Sequence, residues 1–192
     1  MSLIPAFELG LWNAWIFIIP ELLLMFIGNK KIKKREMLSV SESLTESGKK
    51  MKNLLTILTV PLLGAYFYSI FLPLKLNTVW FYIGLVTYLL GFSVQITAWQ
   101  NLATSSVDKP VTKGVYRYSR NPMYIGEFLV YLGIAITCIS WIFLLIVMDY
   151  IALSYVWARF EEKECLKKYG DSYREYMKRI PRWIGRPKSI IS

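Results

Sequence analysis

Between Arg120 and Arg159 the chain runs for 38 residues without a lysine or arginine, and with only Glu127 and Asp149 as charges. That is room for two passes through a hydrocarbon layer about 30 Å thick if one of them is short. A turn near Cys138-Ile139-Ser140 divides the stretch into a short fourth helix and a longer fifth, a tight hairpin. Three apolar runs precede it: Leu9 to Gly28, interrupted by Pro20 and Glu21; Asn53 to Leu72, with Pro61 and Gly64; and Thr78 to Trp99. The pattern predicts an all-α integral membrane protein of about five transmembrane helices. The Pro73 to Asn77 turn predicts a tight hairpin of helices two and three. Gly84 and Gly91, like Gly126 and Gly133, recur at a seven-residue step that places small residues on one helix face, where a neighbouring backbone can approach. Pro20 is expected to kink the first helix, and Glu21 to find a partner inside the bundle.

The charges lie between these runs. The loop from Asn29 to Lys52 holds 8 basic residues, the loop before Asn121 holds 4 and the tail from Arg159 holds 10, together 22 of the 23 in the chain. Five crossings put those three segments on one side, which predicts an amino end outside and a cytoplasmic carboxyl end. Basic residues interleaved with apolar runs suit anionic lipid headgroups rather than nucleic acid, despite the net charge of +10. The Ser-rich middle of the first loop, Ser39 to Ser47, reads either as a short amphipathic helix or as a mobile segment. No basic residue precedes the first apolar run, so a cleavable signal peptide is not expected. Histidine is absent and there are 2 cysteines, Cys138 in an apolar run and Cys165 in the charged tail. A disulfide framework, a Cys-based or His-ligated metal site and an imidazole base are therefore not expected. Residues 1–99 read as a three-helix membrane region and 100–192 as the region carrying the chemistry, in one integrated unit.

The stretch Gly114 to Gly126 opens the fourth helix at the membrane surface. Asn121 stands where an N-cap belongs and Pro122 at the first helical position, where no N–H is needed. A helix start there directs unpaired N–H groups and a partial positive charge outward beside Arg117 and Arg120, which suits a carboxylate or phosphate. The same residues also read as a capped start whose arginines and tyrosines (Tyr116, Tyr118, Tyr124) sit among headgroups. Topology brings Glu161-Glu162, at the exit of the fifth helix, to the same face. That pair is either the wall of a shared pocket or a solvated helix end paired with Lys163 to Lys168. Beyond Gly170, where a break is expected, Tyr173, Tyr176 and Ile180 at helical spacing predict an amphipathic cytoplasmic helix stopped by Pro181-Arg182-Trp183.

Gly114-Val115-Tyr116, Arg120-Asn121-Pro122-Met123-Tyr124-Ile125-Gly126, Glu161-Glu162, Gly170, Tyr173, Tyr176 and Pro181-Arg182 together resemble the carboxyl half of the isoprenylcysteine carboxyl methyltransferase family. The Asn-Pro-Met-Tyr form of the centre is shared with the related phospholipid methyltransferases. The resemblance implies a membrane enzyme that binds S-adenosylmethionine without a Rossmann fold and methylates a lipid-bearing acceptor, a lipid-modified small molecule or a prenylated protein C-terminus. It carries cofactor contacts onto Pro110, Val111, Tyr116, Asn121, Pro122, Met123, Tyr124 and Glu161, with Gln100 or Asn101 upstream. Asn121 stands where carboxyl methyltransferases usually have histidine. A carboxylate acceptor, ionised near neutral pH, needs no base and could be held by Arg120 or Arg159, whereas an amine acceptor must lose a proton, for which Glu162 or a tyrosine is the candidate. The expected function is thus prenylcysteine carboxyl O-methylation, with phospholipid amine N-methylation second. An NADPH-dependent sterol-reductase-like enzyme and a non-catalytic membrane protein are the readings from other classes.

Overall fold

The computed structural model describes the backbone of residues 7–36 and 46–185, and side chains at 7–27 and 56–185. Most of the Ser39 to Ser47 segment lies outside the described residues. Among the described residues six α-helices follow in order: α1 (Trp15–Glu36), α2 (Glu46–Ser69), α3 (Val79–Ala103), α4 (Pro122–Cys138), α5 (Trp141–Tyr169) and α6 (Asp171–Arg179), with a 3-10 turn at Gly114–Arg117 before α4. Two of them, α3 and α5, are long and apolar enough to cross a membrane, and Trp15–Ile27, Thr56–Ser69 and Pro122–Cys138 are shorter apolar helical segments. At 17 residues α4 is only about 26 Å long, less than a full hydrocarbon thickness.

The first helix begins later than its apolar run. Asn13 donates from Nδ2 to the carbonyls of Glu8 and Ile70, both at 2.7 Å, and the Trp12 carbonyl accepts the Leu74 N–H. These bonds hold residues 8–14 as an extended cap on the end of α2, so α1 starts only at Trp15. At its other end α1 continues past Gly28 to Glu36, and α2 begins at Glu46, so helix occupies much of the charged segment that reads as a loop. Pro20 lies within α1.

The glycine pattern decides which helices pair. Gly84 and Gly91 of α3 face Gly133 and Gly126 of α4, so closely that a Cβ on Gly91 would stand 2.6 Å from the Gly126 carbonyl oxygen. A Cβ on Gly84 would stand 2.7 Å from the Gly133 carbonyl oxygen. Backbones packed at this range gain dispersion contacts that hydrocarbon tails do not match. Helix α3 therefore lies along α4, while α2 packs on α5 and α1. The expected α2–α3 hairpin is corrected accordingly: the short link at 70–78 turns the chain, but its flanking helices take other neighbours.

The α4–α5 hairpin follows the sequence. Ile139 adopts the left-handed conformation at φ 52°, and the Ser140 side chain accepts the Phe143 N–H at 3.2 Å to cap α5. Inside the bundle, Glu127 accepts hydroxyl bonds from Tyr131 at 3.1 Å and Tyr150 at 2.9 Å, and Tyr66 meets Tyr131 at 2.9 Å. Glu21 lies near Gln95 of α3, as expected of a bundle-facing carboxyl, but its Oε1 is buried without a hydrogen-bond partner. Glu127 is satisfied by phenols from α4 and α5, as low-dielectric burial demands, whereas Asp149 Oδ2 is buried without a hydrogen-bond partner.

Substituting Gly91→Ala should lower stability by about 1–3 kcal/mol through overpacking against α4. Detergent-phase thermal unfolding checks this, and an unchanged melting temperature would contradict the close α3–α4 seam.

Candidate functional site

The site forms where the entrance of α4 meets the exit of α5 and the segment after α6. Glycine is needed at 114, which has φ +58°, and any Cβ there would collide with the Asn101 side chain. Tyr176 of α6 donates to the Tyr116 carbonyl at 2.7 Å and Tyr169 to the Val107 carbonyl at 3.1 Å, which ties the loop to the carboxyl-terminal helices. The tail then runs beside residues 118–121. Arg120 N–H donates to the Pro181 carbonyl at 3.1 Å, Gly185 N–H to the Tyr118 carbonyl at 3.2 Å, and Ser119 Oγ to the Arg182 carbonyl at 3.2 Å. The apolar positions of α6 pack into this end of the bundle as a cluster of Tyr173, Tyr176 and Ile180. Burial pushes the Tyr173 and Tyr176 phenols up from their ordinary range, and the nearby Arg120 charge pulls the other way.

At the centre is Glu162, whose side chain is 5% exposed. Arg182 grips it through Nη2 to Oε2 at 2.7 Å and through Nε to Oε1 and Oε2 at 3.1 and 3.2 Å. Arg120 reaches Oε1 from Nη2 at 3.3 Å. Asn121 donates from Nδ2 to the Arg182 carbonyl at 3.1 Å, with a longer contact to Glu162 Oε1 at 3.5 Å. The carboxylate's bonds to Arg182 hold that guanidinium's pKa above its ordinary value.

Several sequence expectations meet here and some are corrected. Pro122 occupies the first turn of α4, but the Asn121 side chain makes no cap bond. Glu162 and the Arg182 carbonyl draw its amide away, and Ser119 Oγ accepts the Asn121 N–H instead, at 3.0 Å. Glu162 is not paired with Lys163 to Lys168. Its carboxylate is held by two guanidinium groups instead, those of Arg182 and Arg120. Glu161 accepts a 2.8 Å bond from the Tyr124 hydroxyl, which joins the two helix ends directly. Exposed Arg159 contacts Tyr155, Nη1 to Oη at 3.3 Å, and the Arg159 and Arg182 guanidiniums lie 5.6 and 5.8 Å from the centroid of that ring.

The remaining residues are distributed around this cluster. Tyr116 is buried beside it, while Met123, Pro110 and Val111 are half-buried. Helix α3 extends to Ala103, so Gln100 and Asn101 stand on its last turn; Gln100 is exposed, and Asn101 is half-buried under Gly114. Two side chains singled out from sequence carry buried donors without a hydrogen-bond partner: Asn101 at Nδ2 and Arg120 at Nε and Nη1. Sequence reasoning placed Arg182 in a motif without giving it a partner, because nothing local links it to a carboxylate twenty positions earlier. Tyr155 gave no signal beyond its one-turn spacing from Arg159.

Residues 72–172 match the family model described as phospholipid methyltransferase, more than half of the chain. The protein belongs to the phospholipid methyltransferase family. Membership places it among membrane methyltransferases, and the match takes in α3, the α4–α5 hairpin and Glu161-Glu162. Arg182 and most of α6 lie beyond it. No curated protein and no solved structure gives a significant match.

Replacing Glu162 with Ala leaves the buried Arg120 guanidinium facing a partly exposed Arg182 and should cost about 3 kcal/mol, the lower end of what breaking a buried pair costs. Chemical or thermal unfolding in micelles measures it, and a loss below about 1 kcal/mol would mean that the cluster is not the tie described here.

Proposed function

We propose that this protein transfers a methyl group from S-adenosylmethionine to a lipid-bearing acceptor at the cytoplasmic membrane surface. The observation that carries the reading is the junction of the α4 entrance with the α5 exit, bonded between Tyr124 and Glu161 at 2.8 Å and between Arg120 and Glu162 at 3.3 Å. The residues suit the cofactor's charges. Its carboxylate calls for donors, and the first turn of α4 has no side-chain cap while Arg120 and Asn101 hold buried donors without partners. Its ammonium or ribose hydroxyls call for an acceptor such as Glu161, and its adenine or sulfonium for a tyrosine face such as Tyr116 or Tyr124. Pro110, Val111, Pro122 and Met123 would supply apolar walls, with Gln100 or Asn101 at the rim. When bound, S-adenosylmethionine supplies an activated methyl group for in-line displacement. The chain's own part is then to bind, align and keep water out, which accounts for much of such a barrier.

For the acceptor, the prenylcysteine carboxylate fits best. It needs no base, and the geometry has committed Glu162 to Arg182 and Arg120. Arg120 or Arg159 would hold it, with the lipid tail lying between helices. A phospholipid amine is the second reading, favoured by the family match and by Asn121 in place of histidine. The proposed topology is five crossings with the amino end outside and the site cytoplasmic, because the basic residues gather on that side. Short α4 would then cross with local thinning of the bilayer. Family membership favours methyl transfer over nicotinamide-dependent reduction, and equilibrium binding of S-adenosylhomocysteine against NADPH separates the two.

Labelled S-adenosylmethionine offered with a prenylcysteine analogue and with phosphatidylethanolamine, side by side, should label the former in preference. Exclusive labelling of phosphatidylethanolamine would move the assignment to the amine. The variant Glu161→Ala should lose cofactor binding while keeping its unfolding transition, and unchanged affinity would remove Glu161 from the site.

A further inference from the structure

We propose that Glu162 and Arg182 are positioning residues: they hold Arg120 by a single nitrogen and leave its Nε and Nη1 donors to an oxyanion group of the ligand. The inference rests on the methyltransferase reading above and adds to it a residue outside the family match. Arg182 occupies both oxygens of Glu162, so Arg120 is left with one contact, from Nη2. Its side chain is only 9% exposed, yet Nε and Nη1 are buried and unpartnered. Arg182 is partly exposed to water, but Arg120 keeps buried donors that nothing satisfies, an arrangement that costs free energy until an acceptor arrives. Nearby phenols do not supply an anion, since burial keeps Tyr173 and Tyr176 protonated. A carboxylate or phosphate would match the vacant donors, whether it belongs to the cofactor or to the acceptor.

The arrangement also explains why the tail is bound so firmly. The Arg182 carbonyl accepts bonds from Asn121 and Ser119, and the Pro181 carbonyl accepts the Arg120 N–H, so the fork of Arg182 is fixed relative to Arg120. Without the fork, Glu162 would be at liberty to turn both oxygens toward Arg120 and occupy the donors meant for the ligand.

The test uses the full chain in micelles and four probes. These are S-adenosylhomocysteine, 5′-methylthioadenosine (a related nucleoside thioether without the carboxylate), phosphatidylethanolamine and an S-prenyl cysteine. Arg182→Ala should weaken the probe that supplies the oxyanion about tenfold while 5′-methylthioadenosine binds unchanged. Adding Glu162→Gln to it removes the competing carboxylate and should restore most of that affinity. A mere structural role for the pair would make the double variant no better than the single one. Arg182→Lys, which keeps the charge without the fork, should fall between and serves if the alanine variant does not fold. Loss for S-adenosylhomocysteine alone assigns the oxyanion to the cofactor, and loss for a lipid probe alone assigns it to the acceptor. Equal binding of every probe to wild type and variants, parallel loss of 5′-methylthioadenosine, or no rescue by Glu162→Gln overturns the proposal. Failure of wild type to bind S-adenosylhomocysteine at all would instead remove the methyltransferase reading beneath it.

Discussion

A carboxylate buried between two arginines holds this end of the protein together. Glu162 sits on α5, Arg120 at the foot of α4 and Arg182 on the tail beyond α6, so one side chain ties three segments distant in sequence. Such a cluster is costly to desolvate and is justified only when its geometry is good and its remaining lone pairs are used. Both conditions hold for the carboxylate, which has both oxygens in the Arg182 fork. For Arg120 the second fails, and that imbalance is what separates this cluster from a purely structural staple.

The position of the cluster depends on the glycine seam below it. Because α3 and α4 pack backbone to backbone through Gly84, Gly91, Gly126 and Gly133, the end of α3 arrives beside the loop that leads into α4. Asn101 then lies under Gly114, and the loop folds back over the top of the hairpin. The tight turn at Ile139 and Ser140 keeps α5 antiparallel to α4, so its far end returns to the same surface. Packing within the bundle is thus converted into proximity among polar groups at its rim.

Much of this was legible in the chain. The hairpin turn, the break at Gly170, the two glycine pairs and the meeting of Asn121 and Tyr124 with Glu161-Glu162 all follow from charge-free runs, seven-residue spacing and topology. These are local or periodic signals, and backbone geometry enforces them. What escaped depended on tertiary competition. The start of α1 is delayed because Asn13 bonds to carbonyls of another segment, including Ile70. The Asn121 side chain leaves its helix because a carboxylate and a carbonyl from elsewhere in the chain offer it better partners. Which helices pair could not be read either, since the glycines mark a face without naming the helix it meets.

In the proposed function the α4 entrance and the α5 exit close around one S-adenosylmethionine. Direct ultraviolet photolabelling of the full protein with radiolabelled S-adenosylmethionine, followed by peptide mapping, addresses it without reference to any acceptor. Label is expected on peptides containing Tyr116 to Tyr124 and Glu161, removed by excess S-adenosylhomocysteine. Competable label confined to α1 or α2, or no competable label at all, would contradict it.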